Sequence, residues 1–129
     1  MTTSDPLVAV VDDEVSVRTA LGRLLRLADY EVAAFGSGEE FLSSLAKRHP
    51  HCVILDVHMS GISGFEVKAR LRAAHPDIPV VFITASDEIA LDRAVREAGG
   101  ARLLRKPFSN DELLDAVGTA LRSKACDAS

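Results

Sequence analysis

The chain has no tryptophan, one tyrosine and few aromatic residues, which make up 5% of its 129 residues. Its two cysteines, Cys52 and Cys126, lack the spacing of a metal or redox motif and are too few for a disulfide framework. The longest apolar runs span about five residues, far below the ~18 needed to cross a bilayer. The first six residues lack the basic and apolar regions of a signal peptide.

Positive charge is not in excess either, because 15 Lys and Arg stand against 19 Asp and Glu. The net charge of −4 gives no general attraction to nucleic acid or to an anionic bilayer. We therefore expect no direct nucleic-acid binding, no membrane partner and a cytoplasmic location. The 47% of hydrophobic residues suffice for one packed core. We predict one domain over residues 1–123 and a polar tail over residues 124–129.

Three continuous apolar runs are too short for helices and lack the alternation of half-exposed strands. These runs, Leu7–Val11, Cys52–Leu55 and Val80–Ile83, predict strands that are buried on both faces. Two weaker runs, Glu31–Phe35 and Arg102–Arg105, carry charge at their ends, which is typical of edge strands.

The segments between these strands have the hydrophobic periodicity of helices. Three predicted helices open with a Ser-x-x-Glu capping box, at Ser37, Ser63 and Ser109. In such a box the serine accepts a backbone N–H and the glutamate reaches back to the serine N–H. The last helix is expected to fade into the tail from about Ser123. Strict alternation predicts an α/β fold, a doubly wound five-stranded parallel sheet of order 2-1-3-4-5, the flavodoxin-like (βα)5 arrangement.

Polar residues at the carboxyl ends of these strands share the sheet edge where ligands bind in such folds. Asp12 and Asp13 follow the first strand, Asp56 ends the third, Thr84 ends the fourth and Lys106 follows the fifth. Each alone has a plain explanation, such as a helix cap, a turn residue or a solvated charge. Three carboxylates about 5 Å apart, however, would repel by roughly 3 kcal/mol per pair at an effective dielectric near 20. Such a cluster needs a cation.

Oxygen ligands in a small carboxylate site fit Mg²⁺ better than Ca²⁺ or a transition metal. A carboxylate, a divalent ion, a hydroxyl and an ammonium are also the parts that stabilise a transferring phosphoryl group. An aspartate can itself be the nucleophile and form an acyl phosphate. In that chemistry the metal and Lys106 would neutralise phosphoryl oxygens, and Thr84 would donate a hydrogen bond to one of them.

With these residues in place, the chain resembles the receiver domain of bacterial two-component response regulators from about residue 7 to residue 121. The matching segments are Val10–Asp13, Ile54–Met59, Gly64–Glu66, Phe82–Ala85 and Lys106–Phe108. The resemblance implies a signalling module rather than an enzyme. Its phosphoryl donor would be a phosphohistidine on a sensor histidine kinase or a histidine phosphotransfer protein. A homodimer through the fourth helix, fifth strand and fifth helix is a further hypothesis.

The resemblance also implies roles for single residues. It implies that Asp56 is the phospho-acceptor and a ligand of Mg²⁺. Asp13 would bind the ion directly and Asp12 largely through water, while the backbone carbonyl of His58 would complete the protein ligands. The His58 side chain would lie near the phosphoryl group, where it would tune hydrolysis, or point into solvent.

The same resemblance implies that Thr84 and Lys106 hold the phosphoryl group and that the bond between Lys106 and Pro107 is cis. Two departures from the family pattern matter. Ser60 stands where the family usually has proline, so we expect a less rigid loop after the third strand. Leu103 falls on the aromatic switch position, so a rotating ring cannot carry the signal. We expect phosphorylation to draw Thr84 inward and to remodel the nearby surface through loop and aliphatic repacking.

The run Phe35–Leu42 and the segment Lys106–Phe108 look most like a branch whose members often carry a DNA-binding domain. We expect no such output domain in this chain. The competing hypothesis is a haloacid-dehalogenase-like phosphatase with Asp12 as nucleophile. That family has a D-x-D pattern after its first strand, whereas Asp12–Glu14 offers only D-x-E. A flavin site is disfavoured, because the loop after the first strand is acidic.

Overall fold

A computed structural model of the protein describes residues 5–127, with side chains described as far as residue 122. Its centre is a parallel sheet of order β2-β1-β3-β4-β5. The strands are β1 (Leu7–Val11), β2 (Glu31–Phe35), β3 (Cys52–Asp56), β4 (Val80–Thr84) and β5 (Arg102–Arg105). β1, β3 and β4 are buried along their whole length, whereas β2 is partly exposed. The predicted fold class, strand order and division into central and edge strands are confirmed.

Helices follow all five strands. They are α1 (Val15–Leu27), α2 (Gly38–Ser44), α3 (Gly64–Ala74), α4 (Ala90–Glu97) and α5 (Asn110–Asp127). In the described part of the chain, no helix is both long and apolar enough to span a membrane. α5 continues past Ser123, where the helix was expected to fade, because the residues that follow include no glycine or proline to end it. The domain boundary at residue 123 stays a prediction.

The three predicted capping serines all cap a helix. The hydroxyls of Ser37, Ser63 and Ser109 accept the backbone N–H of the residue three positions later, at 3.1, 3.2 and 3.0 Å. Among the described residues, only Glu112 makes the predicted return bond, accepting the N–H of Ser109 at 3.1 Å. Glu66 lies in a capping box too, but its carboxylate pairs with an arginine one helical turn further on. The return bond was therefore predicted too widely, and at Glu66 the nearby cation competes for the carboxylate.

Each face of the sheet has its own hydrophobic cluster. One cluster joins α2, α3 and α4 to the sheet, and the other joins α1 and α5 to the opposite face. Successive side chains of a strand point to opposite faces. In β5, half-buried Leu103 therefore packs with the first cluster and buried Leu104 with the second. Arg105 is placed by the same alternation on the side of α4.

Candidate functional site

The structure brings the three predicted carboxylates together at the carboxyl edge. β1 and β3 are parallel neighbours with Val11 opposite Leu55, so the residues that follow in both strands meet at one level. One carboxylate oxygen from each of Asp12, Asp13 and Asp56 lies within 4.8 Å of the others. Asp12 is fully buried and Asp56 is 4% exposed, whereas Asp13 is exposed. The predicted convergence is present, and the cluster is a group that could hold a metal ion.

The amine of Lys106 also lies in this cluster. Its Nζ is 3.0 Å from Asp12 Oδ2, 3.7 Å from Glu14 Oε1 and 3.9 Å from Asp56 Oδ2. Burial alone would lower the pKa of Lys106, but the hydrogen bond to Asp12 and the surrounding negative charges raise it overall. The amine therefore stays protonated, and it is the only ammonium paired with these carboxylates in the described part of the chain.

The Asp56 carboxyl group is a weaker acid than an aspartate in water. Its pKa is raised from 3.8 to about 6, with burial as the largest cause and the charges of Asp12 and Asp13 acting in the same direction. The charge of Lys106 and the backbone N–H of His58, 3.4 Å from Asp56 Oδ1, act in the opposite direction. Any further positive charge beside this group favours the ionised form. Ionised, the carboxylate is an oxygen nucleophile in a partly desolvated position.

The cluster has more negative than positive charge. The carboxylates of Asp12, Glu14 and Asp56 lie 3.0, 3.7 and 3.9 Å from the amine of Lys106, and Asp13 adds a fourth carboxylate to the cluster. The unbalanced groups offer oxygen donors only, and oxygen donors are the ligands that hard divalent cations prefer. The donor set therefore fits a hard divalent cation.

Thr84 and His58 also lie at this edge. Asp56 is opposite Ile83 in the sheet, so Thr84 lies one residue further along β4. Thr84 is fully buried, and its Oγ1 accepts the backbone N–H of Ser86 at 3.1 Å. The His58 side chain is exposed to solvent. The peptide bond between Lys106 and Pro107 is cis, as predicted.

Three contacts at the site were not predicted. Ser60 donates two hydrogen bonds to Asp13 Oδ2, from its backbone N–H at 3.1 Å and from its hydroxyl at 3.3 Å. Proline, expected at this position from the family pattern, can make neither bond. The third contact is from Arg18, whose Nη1 donates to the backbone carbonyl of Asp12 at 2.8 Å. Ser60 is 47 positions from Asp13 and Arg18 is six from Asp12, and no sequence pattern assigns either contact.

Gly64 fixes the backbone beneath the cluster. Its N–H donates to the carbonyl of Val57 at 2.9 Å, which joins the start of α3 to the end of β3. A Cβ at this position would lie 2.3 Å from the Asp56 carbonyl oxygen and 3.0 Å from the Val57 Cα. Only glycine fits this approach of helix to strand without a backbone shift.

A chain of hydrogen bonds runs from Thr84 to α4. The Ser86 hydroxyl accepts the N–H of Glu88 at 3.2 Å, and the Glu88 carbonyl accepts Arg105 Nη2 at 2.6 Å. The same guanidinium reaches both carboxylate oxygens of Asp92 in α4, at 3.3 and 3.1 Å. Its buried Nε is without a hydrogen-bond partner among the described residues. The loop after β4 is thus connected at one end to the site and at the other to α4.

Comparison with known proteins identifies the family. The family model of the response regulator receiver domain matches residues 8–118. Nodulation protein W of Bradyrhizobium diazoefficiens is 39% identical over 114 residues, which are 88% of this chain and 50% of that protein. The BeF3-activated receiver domain of DrrB superposes with a TM-score of 0.84 at 28% identity, covering 92% of this chain and 98% of that one. Chemotaxis protein CheY4 of Vibrio cholerae gives 0.85 at 28% identity, covering 91% and 99%.

The chain belongs to the response regulator receiver domain family. It is a phospho-acceptor signalling domain of the two-component type. The matched family is not that of the haloacid-dehalogenase-like phosphatases, so the competing hypothesis gains no support. The chain spans about half the length of the curated relatives it matches.

Proposed function

We propose that Asp56 accepts the phosphoryl group and that the reaction requires Mg²⁺. One observation carries this proposal: the Lys106 amine lies 3.9 Å from the Asp56 carboxylate, inside a cluster of acidic groups that exceeds it in charge. A phosphoryl group that arrives there meets a nucleophile, a fixed positive charge and a place for a divalent cation. We assign the catalytic roles to Asp56, Thr84 and Lys106.

The metal ligands in this proposal are Asp13, Asp56 and the backbone carbonyl of His58, with Asp12 acting largely through water. When bound, Mg²⁺ supplies positive charge that offsets the carboxylates and the phosphoryl oxygens. The buried position of Asp12 next to Lys106 supports an indirect role for this residue, because its Oδ2 already accepts a hydrogen bond from the amine at 3.0 Å.

The transfer itself forms one bond and breaks another. An oxygen of Asp56 forms a bond to phosphorus, and the phosphorus–nitrogen bond of the donor phosphohistidine breaks, with its electron pair returning to the imidazole. Lys106 holds positive charge beside the equatorial oxygens, and the Thr84 hydroxyl donates a hydrogen bond to one of them. The donor is a sensor histidine kinase or a histidine phosphotransfer protein in the cytoplasm, and the domain catalyses no reaction on a separate substrate.

The response involves the α4 side of the molecule. Because half-buried Leu103 occupies the aromatic switch position, we propose that phosphorylation draws Thr84 inward and shifts the hydrogen-bonded loop through Arg105 to α4. The surface of α4, β5 and α5 would then change its affinity for a partner, including a second copy of this chain. Structures with and without beryllofluoride test this response. An unchanged α4 surface would reject it.

The phospho-acceptor is identified by labelling the protein with acetyl phosphate and Mg²⁺ and mapping the modified residue by mass spectrometry. We expect modification at Asp56, its loss in Asp56→Asn and its loss with EDTA. Labelling at Asp12 with rapid turnover would instead support the phosphatase. An Asp115→Asn variant, altered at an exposed carboxylate on α5, serves as the control and should label like the wild type.

A further inference from the structure

Ser60 has no role in the phosphoryl transfer proposed above, but it donates two hydrogen bonds to Asp13. We propose that Ser60 is a positioning residue that holds the Asp13 carboxylate and thereby strengthens the binding of the divalent cation. This inference rests on the proposed function, in which Asp13 is a metal ligand. The two residues come from different loops and are 47 positions apart in the chain.

The geometry gives Ser60 control over one oxygen of the carboxylate. Both of its donors, the backbone N–H at 3.1 Å and the hydroxyl at 3.3 Å, reach Asp13 Oδ2. Among the described residues, these are the only hydrogen bonds to the Asp13 side chain, so Oδ1 is left for the cation. A carboxylate keeps enough lone pairs to accept these bonds and to ligate a metal at the same time.

Exposure is the reason that Asp13 needs such an anchor. Asp12 is buried and held by Lys106, and Asp56 is buried at the end of β3. Asp13 is exposed, and a free side chain at this position would populate several rotamers. A ligand that is already ordered loses less conformational entropy when the metal binds. Groups that orient a metal ligand commonly change metal affinity by about 10- to 100-fold.

The two donors can be removed separately. Ser60→Ala deletes the hydroxyl and keeps the backbone N–H, so we expect Mg²⁺ affinity to fall about threefold. Ser60→Pro deletes both donors and installs the residue that the family usually has, so we expect a fall of about tenfold. Ser60→Thr keeps both donors and should bind Mg²⁺ within about twofold of the wild type.

The experiment is titration of the whole chain with MgCl2 alone, followed by isothermal calorimetry, for these three variants and the wild type. Ser43→Ala, an exposed serine on α2, is the matched control and should bind like the wild type. Thermal unfolding in EDTA shows whether each variant is folded. Ser60→Ala keeps the test valid if the proline variant does not fold. If Ser60 had only a structural role, its substitutions would lower the unfolding temperature in EDTA and leave the Mg²⁺ affinity of the folded variants unchanged.

Asp13→Asn separates failure of this inference from failure of the proposed function. Weaker binding in the order wild type, Ser60→Ala, Ser60→Pro, with near-complete loss in Asp13→Asn, is the expected result. If Asp13→Asn loses binding but the alanine and proline variants bind as tightly as the wild type or more tightly, the role of Ser60 is wrong and the metal site stands. If the wild type binds no Mg²⁺, or Asp13→Asn binds it equally well, the proposed metal site is wrong as well.

Discussion

The carboxyl edge of the sheet has two halves that differ in how charge is arranged. We call the half formed by the loops after β1 and β3 the acidic half. There, one carboxylate oxygen from each of Asp12, Asp13 and Asp56 lies within 4.8 Å of the others. The half formed by the loop after β4 and the end of β5, the α4 half, pairs Arg105 with Asp92 at 3.1 Å. Negative charge is in excess in the first half, whereas Arg105 and Asp92 balance each other's charge in the second.

This difference separates two tasks. Unbalanced, partly buried carboxylates respond strongly to an added cation, because any positive charge relieves their mutual repulsion. Hydrogen bonds between groups whose charges cancel respond weakly to an added charge, but they transmit a displacement of the atoms that they join. Thr84 lies between the halves, and its hydroxyl accepts the first hydrogen bond of the α4 half. We infer that cation and phosphoryl binding belong to the acidic half and that the α4 half transmits the change.

The largest effect is expected from removing the ammonium that pairs with the carboxylates of the acidic half, that of Lys106. Lys106→Met should slow labelling by acetyl phosphate by about 100- to 1000-fold, because a fixed positive charge at the phosphoryl oxygens is lost. The rate of labelling at saturating Mg²⁺ measures this. Arg105→Met, a cation removed from the α4 half, is the control and should stay within about twofold of the wild-type rate. Equal slowing in both variants would contradict the division of tasks.

The next effect concerns the raised pKa of Asp56. The pKa is about 6 in the folded protein against 3.8 in the unfolded chain, so ionisation of Asp56 destabilises the fold. Below about pH 4, Asp56 is protonated in both the folded and the unfolded protein and does not weaken the fold. As pH rises from there through 6, the folded protein loses stability because Asp56 ionises more readily in the unfolded chain. In EDTA at pH 7, the free energy of unfolding of Asp56→Asn should therefore exceed that of the wild type by up to about 3 kcal/mol.

Urea unfolding at a series of pH values measures this advantage. We expect it to grow between pH 4 and 6 and to stay constant above that range. An advantage of the same size at every pH would mean that packing or hydrogen bonding, and not the charge of Asp56, causes the difference.

A smaller effect is expected from Mg²⁺ itself. Stabilisation by mass action at ten times the dissociation constant is about 1.4 kcal/mol, which corresponds to a rise in unfolding temperature of about 5 °C. Asp13→Ala should lose most of this rise, whereas Asp92→Ala, a carboxylate removed from the α4 half, should keep it. Thermal unfolding with MgCl2 and with EDTA makes the measurement. Loss of the rise in both variants would mean that the cation binds without preference for the acidic half.

The smallest effect is expected for the ion pair of the α4 half. Arg105 and Asp92 are both partly exposed, with 32% and 51% of their side-chain surface accessible, so water screens the pair. A double-mutant cycle of Arg105→Gln and Asp92→Asn should give a coupling of about 0.5 kcal/mol in urea unfolding. A coupling of several kcal/mol would contradict the weak response to charge that we assign to the α4 half.

The fold and the meeting of the acidic groups could be predicted because both follow from local patterns. Short apolar runs mark buried strands, and a parallel sheet then places the residues after those strands at one edge. Asp56 and Lys106 were assigned to that edge from strand ends alone. The capping hydroxyls of Ser37 and Ser63 were predictable for the same reason, since the partner N–H lies three residues away.

Contacts between distant loops could not be predicted in this way. The bonds from Ser60 to Asp13 and from Arg105 to Glu88 join residues 47 and 17 positions apart. Which atoms meet there depends on loop paths and side-chain directions, which no periodicity encodes. The return bond of Glu66 failed for a related reason, because its pairing with Arg70 competes with the backbone. Sequence patterns thus placed the carboxylates and the amine at one edge, whereas the contacts of Ser60 and Arg105 emerged from the structure.

Gly64 has a consequence for how freely this sequence can vary. The Asp56 carbonyl oxygen would lie 2.3 Å from any Cβ at that position, whereas a Cβ at Gly118 would meet only the movable end of Arg122, at 3.3 Å. In a saturation-mutagenesis library selected for folded protein, glycine alone should survive at position 64, while many residues should be recovered at position 118. Substitutions that leave the carboxylates untouched can therefore still prevent folding of the domain, because α3 can then no longer pack closely against β3.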